Sequence, residues 1–453
     1  MAASGCDGGA PAVGLPASVR EMEEAQPLIV GWRENAAARI RYDRVAESAL
    51  GSRPDSEKIR SLRLALRQDA IRPDQPEFAE YVALASEHEP ALVEIDQLLL
   101  EGPIQAPEIF GVGQFFPELS EFQAFGRLRI LRHVLAIQRK DFHAAEAELA
   151  AGLRLGRALQ KADGGLSHYY AGASIESSAL WFLRRMALDP ACPAVVAERA
   201  LATITAEGPP EADFVHALRR EFSSRVMPSV DKIPSKSGNK DLAMQMVGKW
   251  VDAFGSRAQK ISQLTLQCVE GHPDAFDHDA TSRLLVTYFH DAYDRATSPW
   301  SPRGDRQDVL DVEVDAWPIE LVEQSGAALK FTDAQIAETR ESLRMIDNPY
   351  GKLMARVMTP RLGDHVRSHR FLLATRETTR AIMALKVASL RDGSAPAALE
   401  DLTSAPFVDP FGRGSLRYDR ERRIVWSVGP DGEDDGGYML GGRRNGDLVW
   451  RAF

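Results

Sequence analysis

A chain of 453 residues, 44% hydrophobic and 26% charged, has room for two or three domains and the balance of a globular protein with a substantial core. Its 55 basic and 65 acidic side chains leave a net charge of −10. No run of Lys and Arg interleaved with aromatics offers a footprint for a phosphate backbone, so nucleic acid is not an expected partner. Three cysteines, Cys6, Cys192 and Cys268, are too few and too scattered for a disulfide framework or a four-thiolate metal site.

Residues 1–17, opening MAASGCDGGAPAVG, read as a flexible leader or tether. Within it Ala3-Ser4-Gly5-Cys6 resembles the lipobox of bacterial lipoproteins, whose cysteine becomes the acylated N-terminus. No charged or apolar signal segment precedes Cys6, so an unmodified Gly/Ala/Pro leader stays open beside the lipid tether. The resemblance implies an extracytoplasmic place, periplasmic or in the cell envelope; without it the alternative is cytoplasmic. Nothing downstream reaches the ~18 apolar residues of a membrane span, so a tether at Cys6 is the one expected membrane contact.

Residues 18–362 read as a helical domain. Phe125, Leu128, Leu131 and Leu135 recur at helical spacing, Arg139-Lys140-Asp141 interrupts, and Ala145, Leu149 and Leu153 resume, which predicts a helical hairpin. That hairpin resembles a tetratricopeptide-type unit, although no 34-residue repeat follows it. The next helix, ASIESSALWFLRRMAL, is expected to stop at Asp189-Pro190, and another to start near Glu211. Residues 228–241 and 298–308, rich in Pro, Ser, Gly and charge, read as loops. Cys192 and Cys268 have the apolar neighbours of buried small hydrophobes.

Histidine is where acid, base and metal chemistry is sought near neutral pH. His365 and His369 share a helical face, but Val366 stands where the metalloprotease pattern needs its glutamate, so both are expected as solvated positions on an amphipathic helix. The segment GHPDAFDHDATSRLLVTYFHDAYD carries His272, Asp274, Asp277, His278, Asp279, His290, Asp291 and Asp294. Its His290-Asp291 pair is similar to that of helical metal phosphohydrolases, which supports a metal-dependent hydrolase as the alternative function. A capped, solvated helix start is the plainer reading.

After Gly393 the apolar period changes from about four to two. Residues 363–453 are therefore expected to form one long helix followed by a three-stranded antiparallel sheet through Leu416–Tyr418, Ile424–Val428 and Leu448–Trp450. The fold class is mainly α: an irregular helical domain followed by a small α+β module. Between the last two strands Asp431, Glu433, Asp434 and Asp435 fall within five residues bracketed by glycines, an arrangement that needs solvent or a cation to screen it. Gly-rich acidic loops offer the oxygen ligands that Ca²⁺ takes, and the spacing is not that of an EF-hand. The expected ligands are Asp431, Asp434 and Asp435 with the Ser427 carbonyl and Asp447; a solvated acidic loop stays open.

The order of these parts resembles the globular domain of the type II secretion major (G-type) pseudopilins. The resemblance is carried by Leu390-Arg391-Asp392-Gly393, Pro396, Leu399, Leu402, the Asp409-Pro410-Phe411-Gly412 turn, Tyr418, the Ser427–Gly432 turn, the acidic run, and Asp447 before Trp450. It implies the helix-on-sheet fold and a calcium ion in the loop. The departure is that the helix is amphipathic and follows about 360 residues of other chain, so the protein is not expected to polymerise as a pilin. The function expected is a non-enzymatic helical binding scaffold for a protein or peptide partner.

Overall fold

Helix starts in this chain are set by short polar side chains. Asn35, Asp55, Asp141 and Asp277 each precede a helix and accept hydrogen bonds from first-turn amides of Ala38, of Glu57 and Lys58, of Ala144 and of Ala280. The computed structural model describes residues 22–109, 116–231, 276–302, 332–344, 346–359, 361–402, 406–438 and 446–452. Cys6 and the leader, Cys268, His272 and Asp274 lie outside them, as do much of the 228–241 loop and residues 303–308 of the second.

After a 3₁₀ turn at Glu23–Leu28 come α1 (Ala36–Gly51), α2 (Ser56–Gln68), α3 (Phe78–Glu87), α4 (Glu89–Glu101), α5 (Glu118–Gln138), α6 (Phe142–Gln160), α7 (Gly165–Leu188) and α8 (Ala194–Ala206). Helix α9 (Glu211–Arg220) continues through a π-helical turn at Glu221–Val226 into Met227–Asp231. Then follow α10 (His278–Thr297), α11 (Asp333–Arg344), α12 (Pro349–Met358), α13 (Leu362–Asp392), β1 (Arg417–Asp419), β2 (Ile424–Ser427) and β3 (Leu448–Arg451). The protein is mainly helical with a small three-stranded antiparallel sheet near its C-terminus. Among the described residues no helix is long and apolar enough to cross a membrane.

The expected hairpin is α5–α6, turned at Lys140, whose φ of 58° is the left-handed conformation that ends many helices. The α7 stop before Pro190 and the α13 stop at Gly393, with φ 69°, also lie where the sequence puts them. Helices α6 and α7 approach most closely at two glycines. A Cβ built on Gly172 would stand 2.2 Å from the Gly156 carbonyl oxygen, so the backbones themselves are in contact.

One apolar core joins α6 to α10, α13 and the sheet, running through Leu149, Tyr169, Val196, Phe289, Ile382, Val425 and Ala452; buried Cys192 belongs to it. A second gathers α1–α5 around Tyr42, Leu62, Leu92 and Phe125. The first core is continuous across residue 363, because α13 packs along α7 and α8 before it reaches the sheet.

In the sheet, Tyr418 lies opposite Val425, and Val425 opposite Trp450. Alternation along a strand puts these three on one face, and they pack with the helical core. Ile424 and Trp426 therefore face the other way, yet both are buried. The acidic loop covers them: a Cβ on Gly437 would stand 2.7 Å from Ile424 and 3.3 Å from Trp426. All four residues of β2 are thus buried.

Candidate functional site

The acidic loop leaves β2 through Gly429 and Gly432, with φ 72° and 71°, conformations that side-chain-bearing residues rarely adopt. Ser427 is fully buried, and its hydroxyl donates to Asp409 Oδ1 at 2.6 Å. Asp409 also accepts from the Phe411 amide at 3.0 Å and the Val428 amide at 2.9 Å, so this buried carboxylate staples the 406–415 hairpin to the end of β2. Asp431 caps its own turn by accepting from the Glu433 amide at 3.1 Å.

Asp434 lies back on the sheet. Its Oδ1 accepts from the Trp426 indole and the Gly436 amide, each at 3.0 Å, and its Oδ2 faces Arg417 Nε at 3.2 Å. Partial burial works against its charge, but the indole, amide and guanidinium outweigh it and hold the carboxyl below its usual range. Asp447 is fully buried: Oδ2 accepts from the Gly437 amide at 2.7 Å, while Oδ1 has no hydrogen-bond partner among the described residues. Burial raises its carboxyl, the Gly437 and Asp435 amides lower it, and the charges of Asp434 and Asp435 raise it, for a net upward shift. An orphaned buried carboxylate oxygen fits a cation ligand, whereas Asp434 already has Arg417 for a counter-charge. Among the described residues no group of three or more His, Cys, Asp or Glu side chains gathers closely enough to hold a metal.

Between the helical body and the 406–415 hairpin lies a groove of about 1100 Å³. Its floor is one row of α13, Arg370, Leu373, Glu377 and Arg380 at helical spacing; its walls include Pro209, Glu211, Trp300, Val408, Pro410 and Arg413. Arg370 Nη2 donates to the carbonyls of Arg295 (3.2 Å), Ala296 (3.3 Å) and Ser298 (2.6 Å), capping the carbonyl end of α10. Arg380 pairs with Glu377 at 2.7 Å, lies over the Phe407 ring at 4.8 Å, and donates to the Pro406 carbonyl. Trp300 stands edge-on to Phe411 at 5.1 Å and donates its indole N–H to the Pro430 carbonyl at 2.9 Å, which ties the groove wall to the acidic loop. Arg413 is exposed and makes no ion pair among the described residues.

The histidines divide. The described members of the His272–Asp294 segment serve their own helix: Asp277 caps α10, His290 meets Asp294 at 3.1 Å and Asp291 meets Arg295 at 3.3 Å, each pair four apart. His369 corrects the sequence expectation of solvated positions. It is buried, stacked on Phe214 at 4.3 Å, bonded through Nδ1 to the Tyr169 hydroxyl at 2.7 Å, and pushed down to about 3 by burial and by the charges of Arg370 and Arg157. His365 does lie partly at the surface, against the Tyr170 ring at 4.4 Å.

Two constellations carried no sequence signal, because their members are far apart along the chain. A buried polar ladder runs from Asp213 to Arg157 (2.6 Å), Gln160, Glu176 and Arg376, ending on the Ile204 carbonyl. The other sits at Asp163, whose φ of 60° is unusual for a non-glycine residue. Its carboxylate holds His216 Nε2 at 2.6 Å and Arg220 Nε at 3.0 Å. Comparison of the chain with protein-family models, curated proteins and solved structures gave no match.

Proposed function

We propose that this chain is a non-enzymatic binding scaffold whose protein or peptide partner seats in the groove between the helical body and the C-terminal hairpin. The observation that carries this is how the charged floor of the groove is used. Arg370 caps α10, Arg376 pairs with Glu176 and Arg380 with Glu377, so these groups stiffen a concave surface with an aromatic wall rather than standing poised for proton transfer. Selecting a displayed random-peptide library on the full chain tests it: enriched peptides should lose binding to Trp300→Ala. Peptides indifferent to that change, or no enrichment at all, would remove the groove from the function.

The second part of the reading is that Ca²⁺ orders the acidic loop, with Asp447 as its innermost ligand and Asp431, Asp434, Asp435 and the Ser427 carbonyl as the further expected donors. Asp447 Oδ1, without a partner among the described residues, supports it; Asp434 would have to exchange Arg417 for the cation. Calcium should raise the unfolding temperature, by up to about 2.7 kcal/mol of stabilisation at a hundredfold excess over Kd, and magnesium much less. Asp434→Asn/Asp435→Asn should weaken that response and Asp447→Asn should abolish it. Equal responses in all variants, or none in the wild type, would mean a solvated loop held by Arg417. A transition metal in the purified protein would favour the hydrolase on His272–Asp294 instead. The lipid tether belongs to the same reading: radiolabelled palmitate incorporation that Cys6→Ser abolishes would place the protein in the envelope.

A further inference from the structure

We propose that the furrow between α2 and α7, floored by α5, binds a phosphate group, free or esterified, through Arg63, Arg67 and Arg127. Two contacts lay α2 along α5: Arg53 meets Glu121 at 2.9 Å before α2 begins, and Gln138 donates to the Ile71 carbonyl beyond its end. On the other flank a Cβ on Gly126 would stand 2.9 Å from Ile175, so α7 touches α5 there. Leu128 belongs to the core that α5 shares with Ile59 and Leu62 of α2. At about 100° per residue, Arg127 lies between Gly126 and Leu128, on the outward side of α5. Arg63 and Arg67, four apart, share one exposed face of α2, while Arg127 is half-buried at the floor.

None of the three guanidiniums makes an ion pair or a hydrogen bond among the described residues. Burial and the positive charges of Arg63 and Arg67 push Arg127 below the usual arginine range, and no described carboxylate offsets them. The carboxylates nearest along these helices are engaged elsewhere: Glu121 by Arg53, Asp69 by Arg185 of α7 at 2.9 Å, and Asp55 by the first amides of α2. Glu57, in the first turn of α2, lies six residues before Arg63 and on another face. On a chain of net charge −10, three like charges therefore stand together unbalanced. A phosphate monoester brings nearly two negative charges and three acceptor oxygens, where a carboxylate brings one charge and two oxygens. Planar guanidiniums match such oxygens in bidentate pairs. One phosphate group thus relieves the repulsion and supplies the missing partners.

The probe is inorganic phosphate, titrated by calorimetry into the full chain at low ionic strength and about pH 8, where it is a dianion, beside acetate as the comparator. Phosphate should bind saturably and at least about tenfold tighter than acetate. Arg127→Gln should weaken it by about tenfold or more, and Arg63→Gln/Arg67→Gln, at exposed positions whose loss costs no internal bond, by a similar factor. Arg413→Gln, in the groove, should leave it unchanged. Without phosphate, Arg127→Gln should unfold at no lower temperature than the wild type, because it removes repulsion and breaks no bond. Added phosphate should then raise the unfolding temperature of the wild type alone. Sedimentation with phosphatidylcholine vesicles, with and without phosphatidic acid, separates the sources: Arg127-dependent binding to the acid-bearing vesicles makes the phosphate a lipid headgroup, and phosphate binding without it makes the ligand soluble. No saturable binding of phosphate or vesicles overturns the proposal. So does equal binding of acetate, indifference to both the Arg127 and the Arg63/Arg67 variants, or dependence on Arg413. A lower unfolding temperature of phosphate-free Arg127→Gln would show that Arg127 already has a counter-charge, and would overturn it too.

Discussion

A single absent methyl group sets the distance between α6 and α7. Because a Cβ on Gly172 would meet the Gly156 carbonyl at 2.2 Å, and backbone cannot rotate aside as a side chain can, Gly172→Ala should destabilise the protein by about 3 kcal/mol, measurable by denaturant unfolding. His369 gives a pH-dependent counterpart. Its folded value is about 3 against 6.5 unfolded, so the unfolded chain takes up the proton first, and its contribution to stability is full above pH 6.5 and lost as pH falls toward 3. His133 and His168, both pushed down to about 4 chiefly by burial, act with the same sign. Buried Glu221, pushed up chiefly by desolvation, acts with the opposite sign, so one variant is needed to isolate one group. Between pH 7 and pH 5, His369→Asn should lose about 2 kcal/mol less stability than the wild type. Equal losses would mean that His369 is protonated in the folded protein. Its burial was illegible in GDHVRSHR, since the Phe214 ring stacked on it and the Tyr169 hydroxyl bonded to it come from other helices.

At the scale of elements the sequence was legible wherever local chemistry decides. The polar break at Arg139-Lys140-Asp141, the capped helix start before α10, the stop at Pro190, the left-handed Gly393 and the change of period after it all act within a few residues, and the elements they predict are present. What local alternation does not encode is which face of a strand meets which cover. Ile424 and Trp426 look like the core side of β2, yet Val425 meets the helices and the acidic loop buries the other two. The loop's excess of carboxylates is the surface of a cover whose underside is glycine. Asp409 was visible only as a turn residue; its three bonds to Phe411, Ser427 and Val428 emerged with the tertiary structure. Asp409→Ala would leave those donors buried and unsatisfied, so it should cost on the order of 3 kcal/mol. Hydrogen exchange should then quicken at the Phe411 and Val428 amides while α5 and α6 stay protected. Uniform quickening would show that the sheet and the body open together.

For the molecule as a whole, the buried Glu176–Arg376 pair joins α7 to α13, with side chains 0% and 3% exposed. Removing one partner leaves the other charge uncompensated in the interior, so Glu176→Ala or Arg376→Ala alone should cost about 3–5 kcal/mol, and replacing both by Met distinctly less than the sum. Additive losses would mean that the two do not interact. Continuity of the core across residue 363 adds that a fragment of residues 363–453 should be unfolded by circular dichroism unless the helical body is supplied. The same pair has a consequence for how the protein is made. Glu176 leaves the ribosome 200 residues before Arg376, which at 5–20 residues per second is roughly 10–40 s. Throughout that interval α7 and α8 carry a carboxylate without its guanidinium and an apolar surface without α13, so the nascent chain waits half-built for its own C-terminal end.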